Sequence, residues 1–132
     1  MQTSKDGFLA LDFGTKKVGL AVSHGFMGEA LKSIPFRGNE EKFYLEIERI
    51  VKEQGIGIVV IGLPLEDGRE TKQSSWTREQ AMLLSKRITC EIEFVDESYT
   101  SLQAIDNLSG AGDIDSESAK IILEQYLEDS TR

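Results

Sequence analysis

The chain has 132 residues, enough for one domain that buries its own apolar core without disulfides or structural metal. A net charge of −8 and a pI of about 4.7 count against nonspecific binding to phosphate backbones, while leaving room for a local basic patch or for a metal that bridges acid to phosphate. A single cysteine, Cys90, an opening MQTSKDG without an apolar signal segment, and a longest apolar stretch (around IVVIGLPL) too short to cross a bilayer point to a reducing cytoplasmic setting and no membrane partner.

The first element is a strand over Phe8–Phe13, with Phe8, Ala10 and Asp12 on one face and Leu9, Leu11 and Phe13 on the other. Gly14–Lys17 reads as a turn and Val18–Ser23 as an antiparallel partner strand. A third strand is expected over Ala30–Phe36, ending near Pro35. The first helix starts at Asn39 as N-cap, carries the stripe Phe43, Ile47, Ile50 and Val51, and stops at Gly55. GIVVIG is apolar on both faces and reads as central in the sheet, with neighbours on either side. LPLEDGRETKQSS is a polar loop with a turn at Asp67-Gly68. A helix follows over Ser74–Ile88, facing inward with Ala81, Leu84 and Ile88. EIEFV is the next strand, Tyr99–Leu108 a short helix, Gly110 and Gly112 a loop, and Asp115–Leu127 the closing helix. The order gives a single α/β domain over residues 1–132, a mixed sheet flanked by helices.

Acids fall at three element ends: Asp12 at the end of the first strand, Asp96-Glu97 after EIEFV, and Asp115 at the start of the last helix. Strand ends of this kind are where open α/β sheets gather ligands. Clustered carboxylates repel, and a divalent cation such as Mg²⁺ resolves the conflict. Two ions could hold both oxygens of a phosphodiester displacement, with water as nucleophile. Asp115 is equally a natural N-cap, and Asp96-Glu97 are ordinary residues for leaving a strand. Lys16 and Lys17 flank the glycine turn and could reach substrate phosphates. Arg69, Lys72 and Arg78 could form a second contact region around the central loop. Trp76 reads as a packing residue before a base-stacking one.

Four blocks, ALDFGTKKVGLAV, VVIGLPLEDG, VDESYTSLQA and DSESAKIILEQYL, resemble the YqgF/RuvX family in order and spacing, from about Phe8 to Leu127. That family is described as Holliday-junction resolvases and as nucleases that mature the small-subunit ribosomal RNA precursor. The resemblance implies a ribonuclease H-like fold and a two-metal site using Mg²⁺ or Mn²⁺. Its catalytic and metal-binding acids would be Asp12, Glu97 and Asp115, with Asp96 assisting or substituting for Glu97. Thr100 matches the family's polar position after the D-E pair and, together with Lys16, Lys17 and Arg78 from the reading of the residues above, would contact substrate. Two departures remove phosphate-gripping charge: Ser98 stands where family members often have Arg, and the loop SGAGDID lacks Lys and Arg.

The expected function is therefore a metal-dependent nuclease processing the 5′ end of pre-16S rRNA, with junction resolution in DNA recombination as the alternative. Its partners would be nucleic acid (rRNA precursor or branched DNA) and ribosomal particles. A junction resolvase would work as a homodimer, whereas an RNA-trimming enzyme could be a monomer. A noncatalytic nucleic-acid-binding module is a further alternative. An actin-like phosphotransferase is disfavoured, because 132 residues leave no room for two large domains around a nucleotide.

Overall fold

The computed structural model describes residues 6–25, 27–38, 40–97 and 114–130. Among these residues eight elements follow in chain order. They are β1 (Gly7–Phe13), β2 (Lys17–Ser23), β3 (Glu29–Pro35), α1 (Glu41–Gln54), β4 (Ile56–Leu63), α2 (Lys72–Ser85), β5 (Glu91–Asp96) and α3 (Ile114–Ser130). The five strands form one sheet of order β3-β2-β1-β4-β5. β1–β2 and β2–β3 are antiparallel, while β1–β4 and β4–β5 are parallel, as the short first turns and the helical crossovers require. The C-terminal ends of β1, β4 and β5 thus emerge along one edge.

The alternation along β1 sorts the core into two layers. Leu9, Leu11 and Phe13 face α1 and α2, with Phe43, Ile47, Ala81 and Leu84 buried against them. Phe36 and Phe43 stack at 4.3 Å between centroids in that layer. On the opposite face Ala10, Ala21 and Val60 pack under Ala119, Ile122, Leu123 and Leu127 of α3. Ala10 and Ala21 are cross-strand partners, and their small side chains let α3 lie close to the sheet. Each fully buried Leu or Ile contributes about 1.5–3 kcal/mol.

Several expected boundaries move. β4 lies inside the sheet, paired to β1 and β5, as its apolar run predicts, and is apolar because helices cover both its faces; β1 occupies the middle of the strand order. The α1 cap position is Glu40, without a side-chain capping bond; Asn39 lies outside the described residues. Gly55 ends α1 in the left-handed region, φ 65°, as expected. α2 begins two residues early because Thr71 and Ser74 form a reciprocal capping box, with N–H···Oγ bonds of 3.0 and 2.7 Å. It ends at Ser85, and Ile88 still packs on the core from beyond the helix. The Asp67-Gly68 turn forms as read, with positive φ at both residues and paired Glu66–Arg69 backbone bonds. The helix expected over Tyr99–Leu108, the glycine loop after it, and Ser98 and Thr100 lie outside the described residues.

Candidate active site

Asp12 is delivered to the α3 face of the sheet by the period of β1, two residues beyond Ala10. Its partner across the β1–β2 ladder is Gly19. The first turn of α3 lies directly on that glycine. A Cβ at Gly19 would stand 2.0 Å from the Asp115 carbonyl oxygen and 2.7 Å from the Ser116 nitrogen. The β2–β3 register shifts between Val18 and Leu20, and the Leu20 N–H donates to Ser116 Oγ at 3.2 Å. Ser116 is fully buried. This bond pins the start of α3, and hence Asp115, beside Asp12.

Glu97 arrives from the other side. Just past β5, its N–H donates to the Leu63 carbonyl at 3.0 Å. The side chain then lies over Gly62 of β4, where a Cβ would meet Glu97 Oε2 at 3.1 Å. It reaches Asp12, and the two carboxyl groups share a hydrogen bond. Asp12, Glu97 and Asp115 thus line a single cleft of about 470 Å³ with Gly14, Pro64, Leu65, Glu66 and Thr71.

Burial, first of all, pushes Asp12 up to about 6; the Asp115 charge adds to this, and the bond from Glu97 opposes it. Burial likewise pushes Glu97 up to about 9, helped by the charges of Asp12 and Asp96. Two carboxyl groups hydrogen-bonded to each other must hold a proton between them. At Asp115 the compensating charge is Lys17, whose Nζ lies 3.4 Å from Oδ2. Among the described residues, no three Asp, Glu, His or Cys side chains close around one point as a preformed metal cage. The donor set nevertheless suits a hard divalent cation: oxygen ligands only, with a proton and an ammonium where positive charge is demanded. Thr71 is the one hydroxyl side chain lining the cleft among the described residues. It donates to the Pro64 carbonyl at 2.9 Å and accepts from the Ser74 N–H at 3.0 Å. That commitment makes it an anchor of the cleft wall.

The structure brings together Asp12, Glu97, Asp115 and Lys17 from the sequence reading. Lys16 is exposed in the turn beside them, and its carbonyl accepts from the Phe36 N–H at 2.8 Å. Arg78 is elsewhere: it bonds Glu70 at 2.8 and 3.0 Å and lies over the Phe94 ring, 5.1 Å from the centroid. Asp96 is exposed at the end of β5 and acts on the site through its charge. The sequence reading missed Ser116, Gly62 and Thr71. The Thr71-x-x-Ser74 spacing signals a cap in hindsight; the other two depend on tertiary approach.

This mixed sheet, with acids gathered at the ends of β1 and β5 and at the start of a helix, defines a ribonuclease H-like domain. The family model described as "RuvX: Holliday junction resolvase" matches residues 6–129, and the chain belongs to this family. A relative from Maridesulfovibrio salexigens, named "Putative pre-16S rRNA nuclease", is 36% identical over 132 residues, covering 90% of this chain and 96% of that protein. A relative of the same name from Escherichia coli O157:H7 is also 36% identical, covering 91% and 94%. Among solved structures, Thermus thermophilus RuvC in complex with a Holliday junction substrate superposes with a TM-score of 0.65. It covers 95% of this chain and 94% of that one at 9% identity, a likeness of fold alone.

Proposed function

We propose that this protein is a divalent-metal-dependent nuclease that hydrolyses phosphodiester bonds at the 5′ end of pre-16S ribosomal RNA during ribosome assembly. One observation carries the reading: Asp12, Glu97 and Asp115, from three separate elements, converge on one cleft that holds no side-chain nucleophile among its described walls. The names of the family relatives support the substrate.

Asp12, Glu97 and Asp115 would hold the ions, Mg²⁺ or Mn²⁺. Bound there, such ions activate water and neutralise charge developing on the phosphate. With ions bound there, Asp12 and Glu97 would release their shared proton to solvent, leaving both as carboxylate ligands. Lys17 releases Asp115 and turns its ammonium to a substrate phosphate, a small movement for an exposed side chain. Lys16 extends that contact along the strand. Gly19 and Ser116 keep α3 in place, so that Asp115 stays beside Asp12 throughout.

The family description and the RuvC-like fold favour a four-way DNA junction as the second candidate substrate. Both are tested together by incubating the protein with Mg²⁺ or Mn²⁺ and 5′-extended 16S precursor, naked and in assembling particles, beside a four-way junction. Trimming of the precursor with an intact junction supports the RNA reading. Paired nicks in the junction with an untouched precursor would replace it by resolution.

A further inference from the structure

Trp76, the only tryptophan of the chain, is half absorbed by the core. It packs against Phe13 and Phe36, with ring centroids 6.0 and 6.2 Å away. Its remaining surface lines an open cavity of about 520 Å³ together with Thr71, Lys72, Ser75, Glu70 and Glu79. Thr71 is also a wall of the acid cleft, so the two depressions meet at that residue. A volume in this range is ordinary for a ligand pocket, about 300–1,000 Å³.

The charges around this cavity have an order. Lys72 is exposed and stands one helical turn before Trp76 on the same face of α2. Glu70 is neutralised by its two bonds to Arg78. Glu79, one turn after Trp76, has no such basic partner among the described residues and disfavours phosphate on its side. A phosphate therefore belongs at the Lys72 end, toward the cleft, and a neutral planar group belongs beside the indole. An unpaired nucleotide has this arrangement, and stacking on an aromatic side chain is how bases of single strands are held.

We propose that Trp76 and Lys72 form a subsite for one unpaired nucleotide adjoining the scissile phosphate, with the base on the indole and the phosphate on the ammonium. The proposal rests on the nuclease reading and deepens it: the strand entering the cleft is single at this point. A fully paired junction arm cannot fill the subsite without losing a base pair.

Because Trp76 is the sole tryptophan, its emission reports on the subsite in the unaltered protein. A 12-nucleotide single-stranded RNA is titrated in EDTA and in Ca²⁺, with binding followed by anisotropy of a terminal dye and stacking by Trp76 fluorescence. The same-length sugar-phosphate strand without bases is the control. The expected result is saturable quenching by the RNA, none by the abasic strand, and binding weakened about tenfold in Trp76→Leu and partly restored in Trp76→Phe. Melting temperatures are recorded for both variants, since the ring also packs on Phe13. Lys72→Ala lies outside the core and should weaken binding and flatten its salt dependence without changing the melting temperature. Saturable RNA binding with unchanged Trp76 emission would overturn the subsite while leaving the nuclease reading intact. Absence of both binding and metal-dependent cleavage would overturn the two together.

Discussion

Gly19 of β2 and Asp115 of α3 touch backbone to backbone. The space a Cβ would need at Gly19 is filled by the Asp115 carbonyl, with its oxygen at 2.0 Å and its carbon at 2.2 Å. Neither atom belongs to a flexible side chain, so Gly19→Ala must push the start of α3 off the sheet. The expected cost is about 1–3 kcal/mol, read by denaturant unfolding. Cleavage should fall by at least about a hundredfold, because a shift of about 1 Å in a positioned group costs that much. An alanine variant with unchanged activity would show that Asp115 is not held by this contact.

Gly62 gives a contrasting case. A Cβ there meets Ile122 Cδ1 at 2.5 Å and Glu97 Oε2 at 3.1 Å, both ends of side chains that can yield. Gly62→Ala should therefore cost about 1 kcal/mol, the low end of overpacking, yet displace Glu97 and lower cleavage by more than the stability loss explains. Parallel melting and single-turnover measurements separate the two effects.

Ser116→Ala removes the acceptor of the Leu20 N–H in a fully buried position. An orphaned buried donor costs about 1–3 kcal/mol. Native-state hydrogen exchange should show the Leu20 amide losing protection, with a matching fall in unfolding free energy.

The pH dependence of stability has a defined sign. Asp12 and Glu97 titrate higher in the folded chain, about 6 and about 9, than carboxylates do when unfolded, about 4. Between pH 4 and 9 the folded state therefore holds more protons than the unfolded state. The pair's stabilising effect is complete below the unfolded values and is lost as pH rises through the folded ones. In EDTA, the melting temperature should fall from pH 5 to pH 9, and Glu97→Gln should flatten that fall. Saturating Mn²⁺ should raise the melting temperature more at pH 8 than at pH 5, because protons compete for the same oxygens.

Lys17 pairs with Asp115 while both side chains are part-exposed, 45% and 30%. Such a pair adds little stability, so Lys17→Ala should change unfolding by less than about 1 kcal/mol. Removing the competing ammonium should tighten Mn²⁺ binding in calorimetry, while KM for RNA rises through loss of a phosphate contact.

Much of this architecture is legible in the sequence, and the reasons are local. The two faces of β1 follow from strict alternation, the Asp67-Gly68 turn from its residue types, and the α1 stop from Gly55. Asp12, Glu97 and Asp115, which line one cleft, stand out in the sequence because each sits where a regular element ends. What the sequence hid is contact between distant elements. Nothing near Gly19 announces that residue 115 will rest on it, and the bond from Leu20 to Ser116 spans 96 positions. The apolar run of β4 reports cover on both faces and hence an interior strand, but says nothing of which strands flank it. Arg78 looked like a phosphate ligand because its bond to Glu70, eight residues back, depends on how the loop folds before α2.

The central claim is that Asp12, Glu97 and Asp115 act together as the metal-dependent centre of a nuclease. The most direct measurement is single-turnover cleavage of 5′-extended 16S precursor by the wild type, Asp12→Asn, Glu97→Gln and Asp115→Asn, each verified as folded, with and without Mn²⁺. The account predicts metal-dependent cutting by the wild type and losses of at least about a thousandfold in each variant, together with weakened Mn²⁺ binding in all three. Cutting that persists in EDTA, or that survives Asp12→Asn, would contradict it.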